Sequence, residues 1–301
     1  KSLGLVKEPT NAQKLDKAKT ALERFDAKHN GIGPLTPEDQ AKRDAEQAKK
    51  DAKKALLAAD VWAMGKPFLG TYGARYLSVR GIDVTSTEAI DLRFVAKLPY
   101  HGFMSPTDDD PVPFGDFPAM IAAIRDIDGN LIGVHRTYLD PSEPRKYRPG
   151  GDLSRNKAKK IVGKAGHGFI RLGFIGPVLA TGEGIETTLA WARLGRTSED
   201  VSIAAAVSIW NLPGSATGSV PHPTIKDRTI PNGIPDMDRP GVIFPAEVEE
   251  LILLGDGDSD PEWTRAVILT AARRYRALGK EVAVDFAPSG CDWNDVLMGM
   301  A

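Results

Sequence analysis

The chain has 301 residues, 42% of them hydrophobic, enough to bury a sizeable core and to form more than one domain. Its single cysteine, Cys291, excludes a disulfide framework and any cysteine-built zinc site within the chain. No stretch approaches about 18 apolar residues and the N-terminus carries no apolar signal core, so a cytoplasmic protein without a membrane partner is expected.

Charge is balanced overall, 39 basic against 40 acidic residues, but it is unevenly spread. Between residues 141 and 165 the chain places Arg145, Lys146, Arg148, Arg155, Lys157, Lys159, Lys160 and Lys164 against Glu143 and Asp152. From Val178 onward there are 18 acidic and 10 basic residues. A basic strip feeding an acidic pocket suits a polyanion held by Lys and Arg while metal neutralises its reactive end. The alternative is a solvated loop beside a solvated acidic face. The sequence begins at Lys1 rather than Met, which reads as a trimmed piece of something longer or as processing.

In chain order, residues 1–64 read as a helical arm or hairpin, rich in Ala, Lys, Asp, Glu and Gln. One helix is expected near Ala12 to Lys28 and a turn over Asn30-Gly31-Ile-Gly33-Pro34. Thr36-Pro37-Glu38-Asp39 then looks like a helix start, with Thr36 as N-cap, Pro37 at the first helical position and Asp39 completing a capping box. The run to about Ala63 has strong helix propensity but is polar nearly all round until Ala55-Leu56-Leu57, where packing is expected to begin.

Residues 65–176 read as a basic α+β subdomain. Ala74 to Ile82 is a short helix closed by Gly81. Ala119 to Arg125 and Leu131 to Leu139 are strand-like and flank Asp126-Ile-Asp-Gly-Asn130, a hairpin signal. In the second strand, alternation places His135 and Thr137 on one side and Arg136 and Tyr138 on the other; a lone His there is more often packed than catalytic. The basic strip that follows has too few apolar residues for core. Phe169-Ile170-Arg171-Leu172 looks like one more strand.

Residues 177–301 alternate strand and helix in the βαβ manner. Strands are expected at Val178–Thr181, Ser202–Val207, Leu251–Leu254 and Glu281–Phe286, with helices over about Glu186–Leu194 and Pro261–Leu278 and a short last helix opened by Asp292-Trp293-Asn294-Asp295. Residues 210–245 are rich in Pro and Gly without a period, which reads as an insertion loop such as a substrate flap. Trp191, Trp210 and Trp263 are expected to serve the core or the base of that loop.

Two acidic stretches carry the chemistry. In Val178-Leu-Ala-Thr-Gly-Glu-Gly-Ile-Glu186 and Leu251-Ile-Leu-Leu-Gly-Asp-Gly-Asp-Ser-Asp260, an apolar strand ends abruptly in Gly and carboxylates before a helix. Carboxylates at the carboxyl ends of parallel strands converge on the crevice where open α/β sheets bind ligands. Gathered acids repel one another and raise their own pKa values unless a cation sits among them. Hard oxygen donors in small number suit Mg²⁺, which keeps part of its water shell and meets phosphate, so a divalent-metal site for phosphoryl chemistry is expected. Asp256 and Asp258 can aim oxygens at one point, and a carboxylate such as Glu183 at the end of an apolar strand is costly without a partner. Asp260 is either a helix N-cap or a metal neighbour. Glu186 is either a first-turn residue favoured by the helix dipole or functional, and Asp292 is either a cap or a peripheral metal residue.

Together, Glu183-Gly184 and Asp256-Gly257-Asp258 in a small parallel α/β unit resemble the Toprim domain of bacterial-type DNA primases, topoisomerases and some nucleases. Glu183-Gly-Ile-Glu186 resembles the Glu-Gly-x-x-Asp signature of primases, with Glu186 in place of the second acid. Gly290-Cys291-Asp292-Trp293-Asn294-Asp295 resembles their late Asp-Pro-Asp-type motif. Ala74-Arg-Tyr-Leu with Arg80-Gly-Ile, His135-Arg136-Thr137 and Lys159-Lys160-Ile-Val-Gly163 are similar to the basic N-terminal subdomain of phage- and plasmid-borne primases. The resemblance covers roughly Gly70 to Ala301. It implies an α/β fold: a Toprim-type small parallel sheet flanked by helices, preceded by the basic α+β subdomain and the helical arm. It also implies a primase catalytic core making short RNA primers by nucleotidyl transfer. Glu183, Asp256 and Asp258 would be catalytic and, with Asp260, would hold Mg²⁺ or Mn²⁺; Arg136, Arg145, Lys146, Lys157, Lys159 and Lys160 would bind nucleic acid or nucleotide. Implied partners are single-stranded DNA, NTPs and a replicative helicase or other replication protein. The zinc module and helicase region common in such primases fall outside these residues. The alternatives are a Toprim-type metal-dependent nuclease and a non-catalytic DNA-binding or replisome-assembly module. A topoisomerase would need a Tyr nucleophile on a separate module.

Overall fold

The computed structural model describes residues 37–195 and 200–300. The helix expected near Ala12 to Lys28, the turn after it and the Thr36 cap lie outside the described residues. The chain divides into two units, 1–50 and 51–301. Within the first, the described residues are the start of helix α1 (Pro37–Ala63), solvent-exposed wherever their burial is described, as its polar composition dictates.

Within the second unit, the end of α1 begins the packing. Leu56 and Leu57, expected to start it, are exposed, and Ala58, Val61 and Trp62 make the apolar contacts instead. Arg93 fixes Trp62 twice, by a 3.0 Å bond from its guanidinium to the Trp62 carbonyl and by stacking 4.3 Å over the indole. After strand β1 (Lys66–Pro67), Thr71 caps helix α2 (Tyr72–Ser78) by accepting from the Ala74 N–H at 3.4 Å. Gly81 ends that turn at φ +76°, a conformation that favours glycine.

Four further strands, β2 (Leu92–Gly102), β3 (Val112–Arg125), β4 (Leu131–Tyr138) and β5 (Lys159–Gly163), complete an antiparallel sheet in the order β1-β2-β3-β4-β5. The β3–β4 turn forms as its sequence predicts: the Asp126 carboxylate accepts from the Asp128 and Asn130 N–H groups at 3.0 and 2.8 Å, and Gly129 takes φ +82°. The basic strip contributes β5 as an edge strand, with His135 opposite Ile161 and Thr137 opposite Lys159.

Strand β6 (Ile170–Arg171) joins a different sheet. With β7 (Val178–Gly182), β8 (Val201–Ala205), β11 (Glu250–Gly255) and β12 (Glu281–Phe286), it makes a five-stranded sheet in the order β12-β11-β7-β8-β6. All pairings there are parallel except β6 with β8. Helices α3 (Ile185–Arg193) and α4 (Pro261–Ala277) supply the apolar covers. Leu189 and Trp191 of α3 share one core with Ala180, Ile203 and Leu254, while Val267, Ile268 and Tyr275 of α4 share another with Leu179, Leu251 and Leu253. The central strands β7 and β11 are therefore covered on both faces, which is why they read as continuous apolar runs. The last helix, α5 (Trp293–Leu297), starts with a full capping box between Asp292 and Asp295.

The first core runs on into the antiparallel sheet through Tyr76, Leu77, Phe94, Met120 and Ile124. Asp91, fully buried, joins the sheets: it takes Arg125 of β3 at 2.6 Å and Arg171 of β6 at 2.6 Å. Arg125 and Phe169 also exchange backbone bonds at 2.9 and 3.0 Å. Among the described residues, no helix is long and apolar enough to cross a membrane.

The insertion is fastened. It carries a 3-10 turn at Ile209–Asn211 and a two-stranded hairpin of β9 (Ser219–Pro221) and β10 (Thr229–Pro231). Arg274 of α4, 1% exposed, donates to the Pro213, Ser215, Asp236 and Arg239 carbonyls, and the Tyr275 hydroxyl meets those of Leu212 and Val242 at 2.9 Å. Trp210 is half exposed and packs edge-on against Trp263 at 4.8 Å, while Trp191 is buried.

Candidate active site

Strands β7 and β11 are neighbours in parallel, with Thr181 opposite Leu253. Each ends within two residues of that pair, so Glu183 and Asp256 leave the same edge of the sheet. The turn after β7 is tight: a side chain at Gly182 would meet Thr187 Cγ2 at 2.9 Å and Thr188 Oγ1 at 3.1 Å. That compression brings the first turn of α3 up against the end of β11. Thr187 Oγ1 thereby donates to Asp256 Oδ2 at 3.0 Å, and the Trp293 N–H meets Asp256 Oδ1 at 3.4 Å. The loop after Asp256 is zipped to residues 288–291, with the Gly257 N–H on the Cys291 carbonyl at 2.9 Å and the Gly290 N–H on the Gly257 carbonyl at 2.7 Å. A Cβ at Gly257 would lie 2.2 Å from the Pro288 carbonyl, so this contact requires glycine.

The electrostatics separate the acids into two kinds. Loss of water around Asp256, with Thr187 and Trp293 opposing and Asp292 and Asp258 reinforcing, lifts its pKa to about 6. Glu183 is also raised: removal of water outweighs the attraction of Lys159, and Asp258 and Glu186 add repulsion. Among the described ion pairs, none involves Glu183, Asp256 or Asp258. Glu186 behaves oppositely. It is 5% exposed, and although burial opposes its charge, Lys159 and Lys146 hold it well below the usual carboxylate range. Lys146 Nζ lies 2.9 Å from Oε1 and Lys159 Nζ 2.8 Å from Oε2, and the Tyr76 hydroxyl donates to Oε1. Burial first, then the Glu186 charge, pushes that hydroxyl's pKa up. Burial also works against the Lys159 ammonium, but Glu186, then Glu183 and Asp256, keep it raised.

Asp260 is committed elsewhere. It caps α4 through the Trp263 N–H at 3.2 Å and takes His222 Nε2 at 2.9 Å and Arg228 at 3.0 Å. Of its two sequence readings, the N-cap is the one whose contacts are present. Asp292 likewise caps α5, accepting from the Asp295 N–H at 2.8 Å, and lies close enough to Asp256 to repel it.

The expected basic residues disperse. Lys146 and Lys159 face the acidic crevice. Arg136 stacks 5.8 Å over Tyr138, and Lys160 lies 4.1 Å over Tyr100 and donates to the His101 carbonyl. Lys157 is exposed, with its ammonium 3.2 Å from the Leu153 carbonyl. Arg145 is paired with Asp140 and Glu143 at 3.1 and 3.0 Å. His135 is buried and held neutral: desolvation first, then Lys159, drives its pKa down to about 3.

Among the described residues, no three His, Cys, Asp or Glu side chains close into a finished metal cage. The donor set fits a hard divalent ion all the same. Two strand-end carboxylates are lifted in pKa by loss of water and by neighbouring acids, and Asp258 is exposed beside them, an arrangement suited to Mg²⁺ or Mn²⁺ that retains water. Sequence reasoning did not single out Tyr76, Thr187, His222 or Arg228. Tyr76 and Thr187 sit inside recognised motifs, whereas nothing local marks His222.

Residues 52–172 match a family described as a domain of unknown function (DUF7146), less than half of the chain. No curated protein matches the sequence. Solved structures similar to this chain include a DNA primase domain from Pseudomonas aeruginosa, 18% identical over 82% of this chain and 74% of that one, with a TM-score of 0.42. A DnaG primase catalytic domain bound to ssDNA is 17% identical, covering 84% and 78%, with a TM-score of 0.46. The E. coli primase catalytic core is 16% identical, covering 81% and 75%, with a TM-score of 0.41.

Proposed function

We propose that this chain is the catalytic core of a DNA primase, with a Toprim domain over 177–301, making short RNA primers on single-stranded DNA by metal-dependent nucleotidyl transfer. One observation carries the reading. Carboxylates in none of the described ion pairs leave two neighbouring parallel strands at Glu183 and Asp256, and a buried Glu186 holds two lysines beside them. A nucleoside triphosphate with its metal needs that combination of cation-binding and anion-binding groups.

Glu183, Asp256 and Asp258 would hold the ion; Mg²⁺ or Mn²⁺ bound there would orient the triphosphate and stabilise the negative charge developing on its oxygens. Thr187 and the Trp293 N–H fix the rotation of the Asp256 carboxylate. Glu186 places the Lys159 and Lys146 ammonium groups, whose side chains remain 40% and 38% exposed and so accessible to phosphate oxygens. Lys157, Lys160 and Arg136 offer charge to the template backbone, with Arg145 contributing where its own acids release it. Asp292 acts at one remove, through Asp256. Asp260 is given no metal role. Residues 1–50, the N-terminal unit, would contact a helicase or other replication protein, in a cytoplasmic setting.

The test is incubation with labelled NTPs, single-stranded DNA and Mg²⁺ or Mn²⁺, followed by sizing of the products. Newly made oligoribonucleotides support the reading. A shortened template would identify a nuclease, and metal binding without either product would identify a binding module.

A further inference from the structure

The insertion between β8 and β11 closes on the acidic loop through one residue, Asp260. His222 directly follows β9 and Arg228 directly precedes β10, and the His222 N–H meets the Arg228 carbonyl at 2.8 Å, closing the end of the hairpin. From there, His222 Nε2 reaches both Asp260 oxygens at 3.0 and 2.9 Å, and Arg228 reaches Oδ2 at 3.0 Å. The His222 side chain is 1% exposed and its ring orientation is set: Nδ1 accepts from the Thr224 and Ile225 N–H groups at 3.1 and 3.0 Å. The ring proton therefore sits on Nε2 and donates to Asp260. The hairpin is itself anchored on the helix that Asp260 caps, through Arg273 on the Gly233 carbonyl at 2.7 Å and through Arg274.

The loop from Asp256 to Asp260 is thus pinned at both ends. Thr187, the Trp293 N–H and the Cys291 carbonyl hold its start, and His222 and Arg228 hold its finish. Asp258 lies between, exposed, with a 3.3 Å contact from Ser259 as its described bond. We infer that His222 and Arg228 are positioning residues, which hold Asp260 so that Asp256 and Asp258 address one divalent cation. This inference rests on the metal reading proposed above. It makes the insertion part of the machinery that orders the acidic loop, instead of a flap over substrate. The geometry resembles outer-shell support in metalloproteins, where loss of a supporting hydrogen bond weakens metal affinity about 10- to 100-fold.

Mn²⁺ affinity, measured by calorimetry on the full chain, tests it alongside the metal-free melting temperature. His222→Phe keeps the ring volume and removes both nitrogens; Asp260→Ala removes the acceptor. Each is expected to weaken Mn²⁺ binding about tenfold. The double variant should be no worse than Asp260→Ala alone, because removing Asp260 already breaks the His222 contact, along with those of Arg228 and the Trp263 N–H. His222→Gln, which restores a donor at the place of Nε2, should recover most of the affinity. Arg228→Gln, in a side chain 46% exposed and so safe for folding, should lose roughly threefold. Unchanged or tighter Mn²⁺ binding in His222→Phe would overturn the inference, since a freed Asp260 would then be acting as an added ligand. Failure of the wild-type chain to bind Mn²⁺, or binding indifferent to Asp256→Asn, would overturn the metal reading itself.

Discussion

Lys159, on the edge strand of the antiparallel sheet, lies 2.8 Å from Glu186, on the first turn of the helix that follows β7. Glu186 is almost wholly enclosed and stays ionised because Lys159 and Lys146 neutralise it from the other sheet. A pair of this kind contributes less to net stability than its short distance suggests, but removing one partner strands a charge in a poorly solvated place.

Lys159→Met should therefore lower stability by about 1–2 kcal/mol, since Lys146 and Tyr76 still meet Glu186, whereas Lys157→Ala, at an exposed position, should change it by less than about 0.5 kcal/mol. Chemical denaturation of the two variants checks this. Equal effects would mean that the Glu186 charge is satisfied without Lys159.

Asp256→Asn and Asp258→Asn remove charge without volume, so each should abolish nucleotidyl transfer while the circular dichroism spectrum and melting cooperativity stay intact. Near-normal turnover at saturating metal in either variant would remove that carboxylate from the site.

The raised pKa of Asp256, about 6 when folded and about 3.8 in the ordinary range, gives metal-free protein a definite pH response. The favourable contribution of the protonated form is complete below about pH 4 and is lost as pH rises through 6, a loss on the order of 2–3 kcal/mol at most. Mn²⁺ must displace the same proton, so its affinity should fall as pH drops below 6. Asp256→Asn should flatten the stability profile, and calorimetry across pH 4.5–7.5 reads the metal arm of this prediction.

Template contacts should appear as salt dependence. Lys157→Ala and Lys160→Ala should each reduce the log–log slope of single-stranded DNA affinity by about 0.7, the value for one phosphate contact. Fluorescence anisotropy at several salt concentrations measures it, and an unchanged slope would return that lysine to plain solvated surface.

Arg274 offers a test of how the insertion is held. Arg274→Met keeps the apolar stem but takes the guanidinium bonds from the Pro213, Ser215, Asp236 and Arg239 carbonyls, of which the last three keep a backbone N–H. Limited proteolysis should then cut within 213–240 faster than in the wild type, with a melting loss corresponding to about 3 kcal/mol. Resistance equal to the wild type would show that Tyr275 and the hairpin suffice.

The βαβ half was legible because its central strands β7 and β11 are buried on both faces: their apolar runs stop sharply at Gly182 and Gly255, where carboxylates begin. The edges of α4 and α5 followed from Pro261 and from the Asp292–Asp295 box. Strand β2 was not assigned, since Pro99 sits inside it and its alternation slips at Val95-Ala96, where a register shift breaks the ladder before Leu98. Strand β5 was hidden within the basic strip, because its lysines are paid for by partners remote in sequence: Glu186 for Lys159 and the His101 carbonyl for Lys160. The fastening of the insertion was equally invisible, for an arginine in a helix reads as solvated until its carbonyl partners are known. Of the site, the carboxylates could be placed from motif and strand ends; their division into a neutralised Glu186, a capping Asp260 and desolvated Glu183 and Asp256 required the fold.

Asp91 ties the two sheets together. Its carboxylate is shared by arginines of both, and the sheets exchange backbone bonds beside it. Parting them would leave a charge in the dry interior, a penalty of several kcal/mol. The spacing between Lys159 on one sheet and the strand-end acids on the other is therefore a constant of the fold, a built-in gauge that owes nothing to what binds there.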